Sequence, residues 1–398
     1  MKFFSKIALL NLLFQIVVSY SHGQYYFKHY QVDDGLVHNA VTAVLQDSKG
    51  FIWIGTRGGV NRFDGYSFKT FKNNNDKFGS LGNDVINSIV EDKNRMIWIG
   101  TGKGLFKYDP YKETLTQLES APKEYTNNIV IDKDNNLWFL IQFSLYKYIQ
   151  AENRIEHLKI QASCIALDSN MNLWMGDNDG NISIYNSQKK RGPRIRIVNK
   201  SLPSNARSIS KIYPVSNNEF LIGCFKQGLK IYSLQSGAVR SLPLGDHEYK
   251  DTYVRDITIA NDGKYWIATE SGIYINDLKT NTSINLRKRI GDKYALGDNA
   301  VYAICRDNQG GMWAGTFFGG LNYYSKDNAR FEKYYPIPGV NSISGNAVRE
   351  ICSDSSGQLW IGTEDAGLSK LDLKTGIFTN YNTTEKKVVF LIPIYTAF

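Results

Sequence analysis

The chain has 398 residues, 42% of them hydrophobic and 21% charged, enough apolar material for a full core and unlike a disordered or low-complexity chain. Its formal net charge of +9 becomes +7 if Lys2 and Lys6 leave with an export signal, too little to argue for a nucleic-acid partner. The four cysteines, Cys164, Cys224, Cys305 and Cys352, form no CxxC pair and give no support to a disulfide framework or a zinc site.

The chain opens on an export signal over residues 1–23. Lys2 and Lys6 supply positive charge, "IALLNLLFQIVV" (7–18) is an apolar core of 12 residues, and Ser21 and Gly23 are the small residues before a cut at Gln24. That core is too short to span a bilayer. Next comes "YYFKHYQVDDGL", an outer-strand pattern followed by the entry to a repeating unit. The repeat is marked by Trp53, Trp98, Trp138, Trp174, Leu221, Trp266, Trp313 and Trp360, in steps of 45, 40, 36, 47, 45, 47 and 47 residues.

Every unit has the same internal order. An alternating apolar run comes first, as in "AVTAVLQD". A polar turn, "lWIGT", a short Gly turn, "GLxxYD" and an aromatic run such as "FKTF" follow. Four strand-length runs per unit predict an all-β fold, a β-propeller of four-stranded antiparallel blades. Asp47, Asp92, Asp132, Asp168, Asp307 and Asp354 each lie six residues before the Trp slot. There an Asp can close a hairpin by bonding backbone two residues on. The Trp is expected between neighbouring blades, worth about 4–6 kcal/mol at ~25 cal/mol/Å² as an upper bound. Gly after "WI" allows close approach of a neighbour. Unit three departs, with Leu140 and Ser144 in glycine slots, and predicts a regular strand with a different turn. Cys305 and Cys352 share the slot of Leu45 and Val90 and read as small core residues. "KKRGPRIR" (189–196) reads as a solvated strand edge.

The expected domains are a signal peptide (1–23), a seven-bladed propeller (24–330), the first blade of a second propeller (331–384) and an atypical tail (385–398). Residues 25–30 would complete the seventh blade. A single eight-bladed ring, with "FEKYY" (331–335) as the outer strand, is the alternative.

The stretch "DGLVHNAVTAVLQDSKGFIWIGTRGGVNRFDGYSFKTF" and its copies closely resemble the two-component regulator propeller repeat. This repeat builds the exported sensor half of hybrid two-component regulators of Bacteroidetes-type bacteria. The resemblance implies two seven-bladed propellers, an immunoglobulin-like Tyr-rich domain, a membrane helix, a histidine kinase, a receiver and a DNA-binding domain. It implies a periplasmic sensor of glycan-derived oligosaccharides, anchored in the inner membrane at full length and able to homodimerise. Here the chain turns to "TTEKKVVFLIPIYTAF" where another unit is expected. The resemblance therefore implies a truncated sensor without kinase, DNA-binding part or membrane span.

No nucleophile elbow, HExxH or phosphate loop occurs, and no catalytic residue, cofactor or metal site is expected. "DKDNN" (132–136) and "DNDGN" (177–181) resemble part of a calcium loop but read better as hairpin turns. A propeller enzyme of quinoprotein or lyase type and a protein-interaction scaffold are the alternative functions. For ligand binding, the residues just after "WIGT" stand out, because the frame repeats around them while they differ from unit to unit. Arg57, Lys103, Phe225, Lys226, Phe317 and Phe318 are the best local set for an oligosaccharide. Sugar C–H faces favour aromatic rings, and hydroxyls favour Arg and carboxylate partners.

Overall fold

The structure is a computed structural model that describes residues 25–73, 80–186, 190–242, 244, 252–327 and 331–381. The expected export signal and the 385–398 tail lie outside these residues. The chain forms two compact units. One holds Tyr25–Lys288 and Ala295–Asp327, and the other is described at Arg289–Tyr294 and 331–381. The helices among the described residues are 3-10 turns of three residues each.

Seven antiparallel sheets make up the first unit. Blade 1 shows the plan, running from inside to outside as Val41–Gln46, Ile52–Thr56, Gly59–Phe63 and Phe68–Phe71. Blades 2 to 6 begin with Ile86–Glu91, Thr126–Ile131, Cys164–Leu167, Ile209–Pro214 and Val254–Ile259. Blade 7 takes three strands from Val301–Arg306, Met312–Thr316 and Leu321–Tyr324. Its fourth strand is Phe27–Tyr30, which pairs antiparallel with the third. The first strands touch in sequence around the circle, and that of blade 7 meets that of blade 1. The ring therefore closes at seven blades rather than eight. Residues 331–335 lie in no strand.

The physics of the repeat is visible at each blade. In blades 1 to 4 and 7 the Asp before the Trp accepts the backbone N–H groups two and four residues on through one oxygen. At Asp47 these come from Lys49 and Phe51, both at 2.9 Å. Its other oxygen accepts the Trp53 indole N–H at 2.8 Å. The same indole bond recurs at Asp92, Asp132, Asp168 and Asp307. One side chain thus closes the hairpin and orients the large ring beside it, and the indole bond goes beyond what the spacing predicts. Each Trp then packs on an aromatic of the next blade. Trp53 meets Tyr108 at 5.0 Å, Trp98 meets Tyr148 at 5.7 Å and Trp138 meets Tyr185 at 5.4 Å between ring centroids.

The glycine after "WI" is a notch for the next blade. A Cβ on Gly55 would lie 2.6 Å from Ile86 Cγ2, and one on Gly315 would lie 2.4 Å from Val41 Cγ1. Gly176 and Gly223 stand in the same relation to Ile209 and Val254. Blade 3 inverts the sizes. Leu140 is fully buried where the others have a small residue, and blade 4 answers with the buried Ala162 in the slot of Ile86 and Val41. Its second strand, Leu137–Ile141, is regular, and its turn uses Gln142 and Phe143 at φ 48° and 67° instead of glycine. In blade 4 the outer edge is split into Lys190–Arg191 and Ile195–Arg196, both paired with the third strand.

In the second unit, Val348–Ser353, Gln358–Thr363, Gly367–Asp372 and Ile377–Tyr381 form a four-stranded sheet of the same plan. Asp354 accepts the Trp360 indole at 2.8 Å. The core here is small, comprising Ile343, Ile361, Leu371 and Phe378. Trp360 is only half-buried, and Cys352 is exposed. The reading of Cys352 as a core residue is therefore corrected: among the described residues no next blade covers its strand. Cys305, in the same slot of blade 7, is half-buried, and burial pushes its thiol up to about 11.

Candidate functional site

At the start of the first strand, blades 1, 2, 5, 6 and 7 skip one residue in their pairing. A bulge of this kind re-aims a side chain. In most blades the slot holds a small polar residue that ties the ring together. Thr42 donates to the Ile86 carbonyl at 2.5 Å, Asn87 to Thr126 at 3.1 Å and Ser210 to Val254 at 2.6 Å. Ser163 does the same to Ile209 at 2.6 Å. In blades 6 and 7 the slot carries Arg255 and Tyr302 instead.

These large side chains meet the turns between second and third strands on one face of the ring. The backbone fixes those turns: Arg57, Phe225, Glu270 and Phe317 each donate an N–H to the carbonyl of the residue before their blade's first strand, at 2.9–3.3 Å. The result is an alternating array of cations and rings. The Arg57 guanidinium lies 4.6 Å from the Phe317 ring centre. Phe317 stacks on Tyr302 at 5.2 Å and meets Phe318 edge-on at 4.5 Å. Arg255 lies 4.1 Å from the Tyr302 ring and 3.8 Å from that of Tyr253. Tyr253 meets Phe225 edge-on at 4.6 Å, and Lys226 lies 5.6 Å from the Phe225 ring.

Glu270 holds the centre of this array. It accepts from Arg255 Nε at 2.8 Å and from Nη2, while Arg255 Nη2 also donates to the Tyr302 hydroxyl at 3.2 Å. The guanidinium is thereby fixed in plane between two rings, with Nη1 left for a further acceptor. Burial pushes the Tyr253 hydroxyl up despite Arg255, so it remains a neutral donor at ordinary pH. Burial likewise raises Tyr125, which precedes the first strand of blade 3 and feels the charges of Arg255 and Arg57. Phe318 is 72% exposed and Tyr125 43% exposed, so the array offers ring faces to solvent.

Of the six residues singled out in the sequence, the structure brings Arg57, Phe225, Lys226, Phe317 and Phe318 into this array. Lys103 lies in the corresponding turn of blade 2, where its carbonyl accepts from Gln117 at 3.0 Å, and it has no contact with the array among the described interactions. Sequence reasoning missed Tyr125, Tyr253, Arg255 and Tyr302. A signal was present: eleven residues before the Trp slot the units read Thr42, Asn87, Asn127, Ser163, Ser210, Arg255 and Tyr302, and the last two break the small-polar pattern. The two acidic turns behave as hairpins. Asp132 accepts from Asp134, Asn136 and Trp138, and Asp177 from Asp179 and Asn181.

The model of the "Two component regulator propeller" family matches residues 35–58, 80–103, 295–318 and 342–365. The chain carries this repeat, and the matches fall on blades 1, 2 and 7 and on the sheet of the second unit. Among curated proteins, Histidine kinase P4 of Formosa agariphila is 42% identical over 53 residues, 13% of this chain and 4% of that protein. Among solved structures, the chain is similar to the extracellular domain of a hybrid two-component system of B. thetaiotaomicron, with TM-score 0.73 and 23% identity over 91% of this chain and 50% of that one. A second hybrid-system extracellular domain from that organism gives TM-score 0.66 at 18% identity, covering 90% of this chain and 53% of that one. Virginiamycin B lyase from Staphylococcus aureus gives TM-score 0.59 at 10% identity, covering 75% of this chain and 99% of the lyase. These likenesses establish the propeller fold. The chain spans about half the length of the solved extracellular domains it matches. Among the described residues, no helix is long and apolar enough to cross a membrane.

Proposed function

We propose that this two-component regulator propeller chain is the ligand-sensing part of a hybrid two-component receptor, exported to the periplasm, and that it binds a glycan-derived oligosaccharide. The observation that carries the reading is the cation–ring array spanning blades 1, 5, 6 and 7 on one face of the ring. Sugar rings stack their apolar C–H faces on aromatics, and Arg255 Nη1 with Glu270 offers a donor beside an acceptor for vicinal hydroxyls. Function follows the site and not the fold, so the lyase likeness does not by itself bring a reaction to this chain. Homodimerisation belongs to the same proposal as a property of the complete receptor, where two sensors would be brought together by ligand.

Calorimetry against a panel of neutral and acidic oligosaccharides tests it. Binding is expected, and Tyr302→Ala or Phe317→Ala should weaken it about 5- to 150-fold, the cost of losing a central aromatic contact of about 1–3 kcal/mol. A ligand that binds the folded protein equally well in both variants would move the site elsewhere. A broad panel with no ligand would remove the glycan reading and favour a protein partner.

A further inference from the structure

Blade 4 carries a second cleft that the array does not use. It lies between the turn that starts at Asp177 and the link to blade 5, and four cations line it: Arg194, Arg196, Lys200 and Arg207. The one carboxylate lining it is Asp179. Asp177 stands behind that turn and is already committed, because it accepts the N–H groups of Asp179 and Asn181 and the Asn181 amide at 2.8–3.1 Å. Arg194 Nε forms an ion pair with its Oδ2 at 3.6 Å.

Two of the guanidiniums are anchored through single nitrogens to backbone carbonyls. Arg196 Nη1 donates to the Asp179 carbonyl at 2.5 Å, and Arg207 Nε donates to Leu202 at 2.8 Å. A carbonyl fixes a guanidinium without neutralising it, so the rest of each fork stays charged and available. Four cations against the two carboxylates Asp177 and Asp179 leave an excess of positive charge, and its repulsion costs free energy that an anion in the cleft would return. The floor is apolar, with Ile197 and Val198 buried and their N–H groups both spent on the Gly180 carbonyl. Apolar floor and arginine rim together suit a ring that bears an oxyanion.

We infer that this cleft binds an oxyanion, a sulfate or carboxylate group carried on a sugar ring. The oxyanion is assigned by the cleft itself. That a sugar carries it rests on the sensor reading above. Arginine forks recognise both groups by paired N–H donors, so the chemistry is shared and the probes must separate the sources.

The test is calorimetric titration of the full chain, at constant ionic strength, with sodium sulfate, galactose 6-sulfate, glucuronate and galactose. Saturable binding of at least one of the charged probes is expected, with galactose unaffected by the loss of the cleft's cations. Sulfated probes binding alone would identify a sulfate ester, and glucuronate alone a carboxylate. The Arg194→Ala/Lys200→Ala variant should bind at least tenfold more weakly. Both side chains are exposed, so the fold should survive, and Arg194→Lys should recover part of the loss. Lys374→Ala, which removes an exposed cation of the second unit outside both sites, should leave these affinities unchanged. The inference falls if no charged probe saturates, if the double variant weakens galactose as much as the charged probes, or if the double variant binds the charged probes like the parent protein. Oxyanion binding here with no oligosaccharide bound at the array would sink the proposed function and leave this site standing.

Discussion

Blade 3 and blade 4 meet through an inverted size pair, and this makes a sharp test of the notch rule. Leu140→Ala removes three carbons from a fully buried side chain. At about 0.8 kcal/mol per carbon the transfer loss is ~2.4 kcal/mol, and the cavity left behind raises it toward the 2–5 kcal/mol range. Ala162→Val adds two carbons to a packed site, which costs about 1–3 kcal/mol through overpacking. The double variant rebuilds a pair the protein already contains, since blade 6 carries the buried Ala268 where blade 7 brings the buried Val301. It falls one carbon short of the parent volume, so its net cost should be about 1 kcal/mol. The coupling is then about 2 kcal/mol or more, read by equilibrium urea unfolding of the four proteins. If the two single costs simply add, the residues do not share a notch and the packing rule is wrong.

The ring closure predicts that Phe27→Ala, which removes a buried ring from the strand completing blade 7, costs about 3–5 kcal/mol and speeds limited proteolysis of blade 7. An unchanged unfolding midpoint would refute closure through that strand. Burial pushes the Asp132 carboxyl up, but the Trp138 indole and the Asn136 and Asp134 N–H groups outweigh it and hold it below the usual carboxylate range. Its stability contribution is therefore present above the unfolded pKa of about 3.9 and is lost as pH falls through the folded value. Asp132→Asn should destabilise the protein at pH 7, and the gap to the parent should narrow below about pH 4. A gap that widens in acid would reverse the assignment. Burial pushes the Cys164 and Cys224 thiols up to about 12, while Cys352 is exposed. Thiol alkylation of the native protein followed by peptide mass mapping should mark Cys352 first and leave Cys164 and Cys224 until unfolding. Early modification of Cys164 would contradict the buried slot.

The blade plan was legible because one packing problem is solved repeatedly, and identical problems leave identical residues. The Asp-to-Trp spacing, the notch glycine and the entry strand Phe27–Tyr30 all reappear as contacts. The seven-fold closure was legible as one of two options, and the choice between them depends on a pairing across almost the whole ring. The face proposed for the ligand was half legible. Turn residues such as Phe317 stand out because the frame around them repeats. Arg255 and Tyr302 hide inside first strands, where an alternating pattern reads any residue as an ordinary strand position. Only the bulge, a property of pairing and not of composition, turns them toward the same face. The basic run ending at Arg196 looked like a guarded edge, and it is one, but the second role proposed for it needs the link to Arg207 folded beside it.

The antiparallel pairing of Tyr30 with Leu321 also governs how the protein is made. The partners are 291 positions apart, so during synthesis the first strand must wait, unpaired, until the last blade has emerged. Long-range closure of this kind slows folding and prolongs the exposure of open strand edges. The export proposed above, in an extended state, would relieve the difficulty, because the chain would then begin to fold only after its release. A ring fastened by its own two ends is thus best assembled as a completed chain, and the early blades gain their full resistance to unfolding only when the final one arrives.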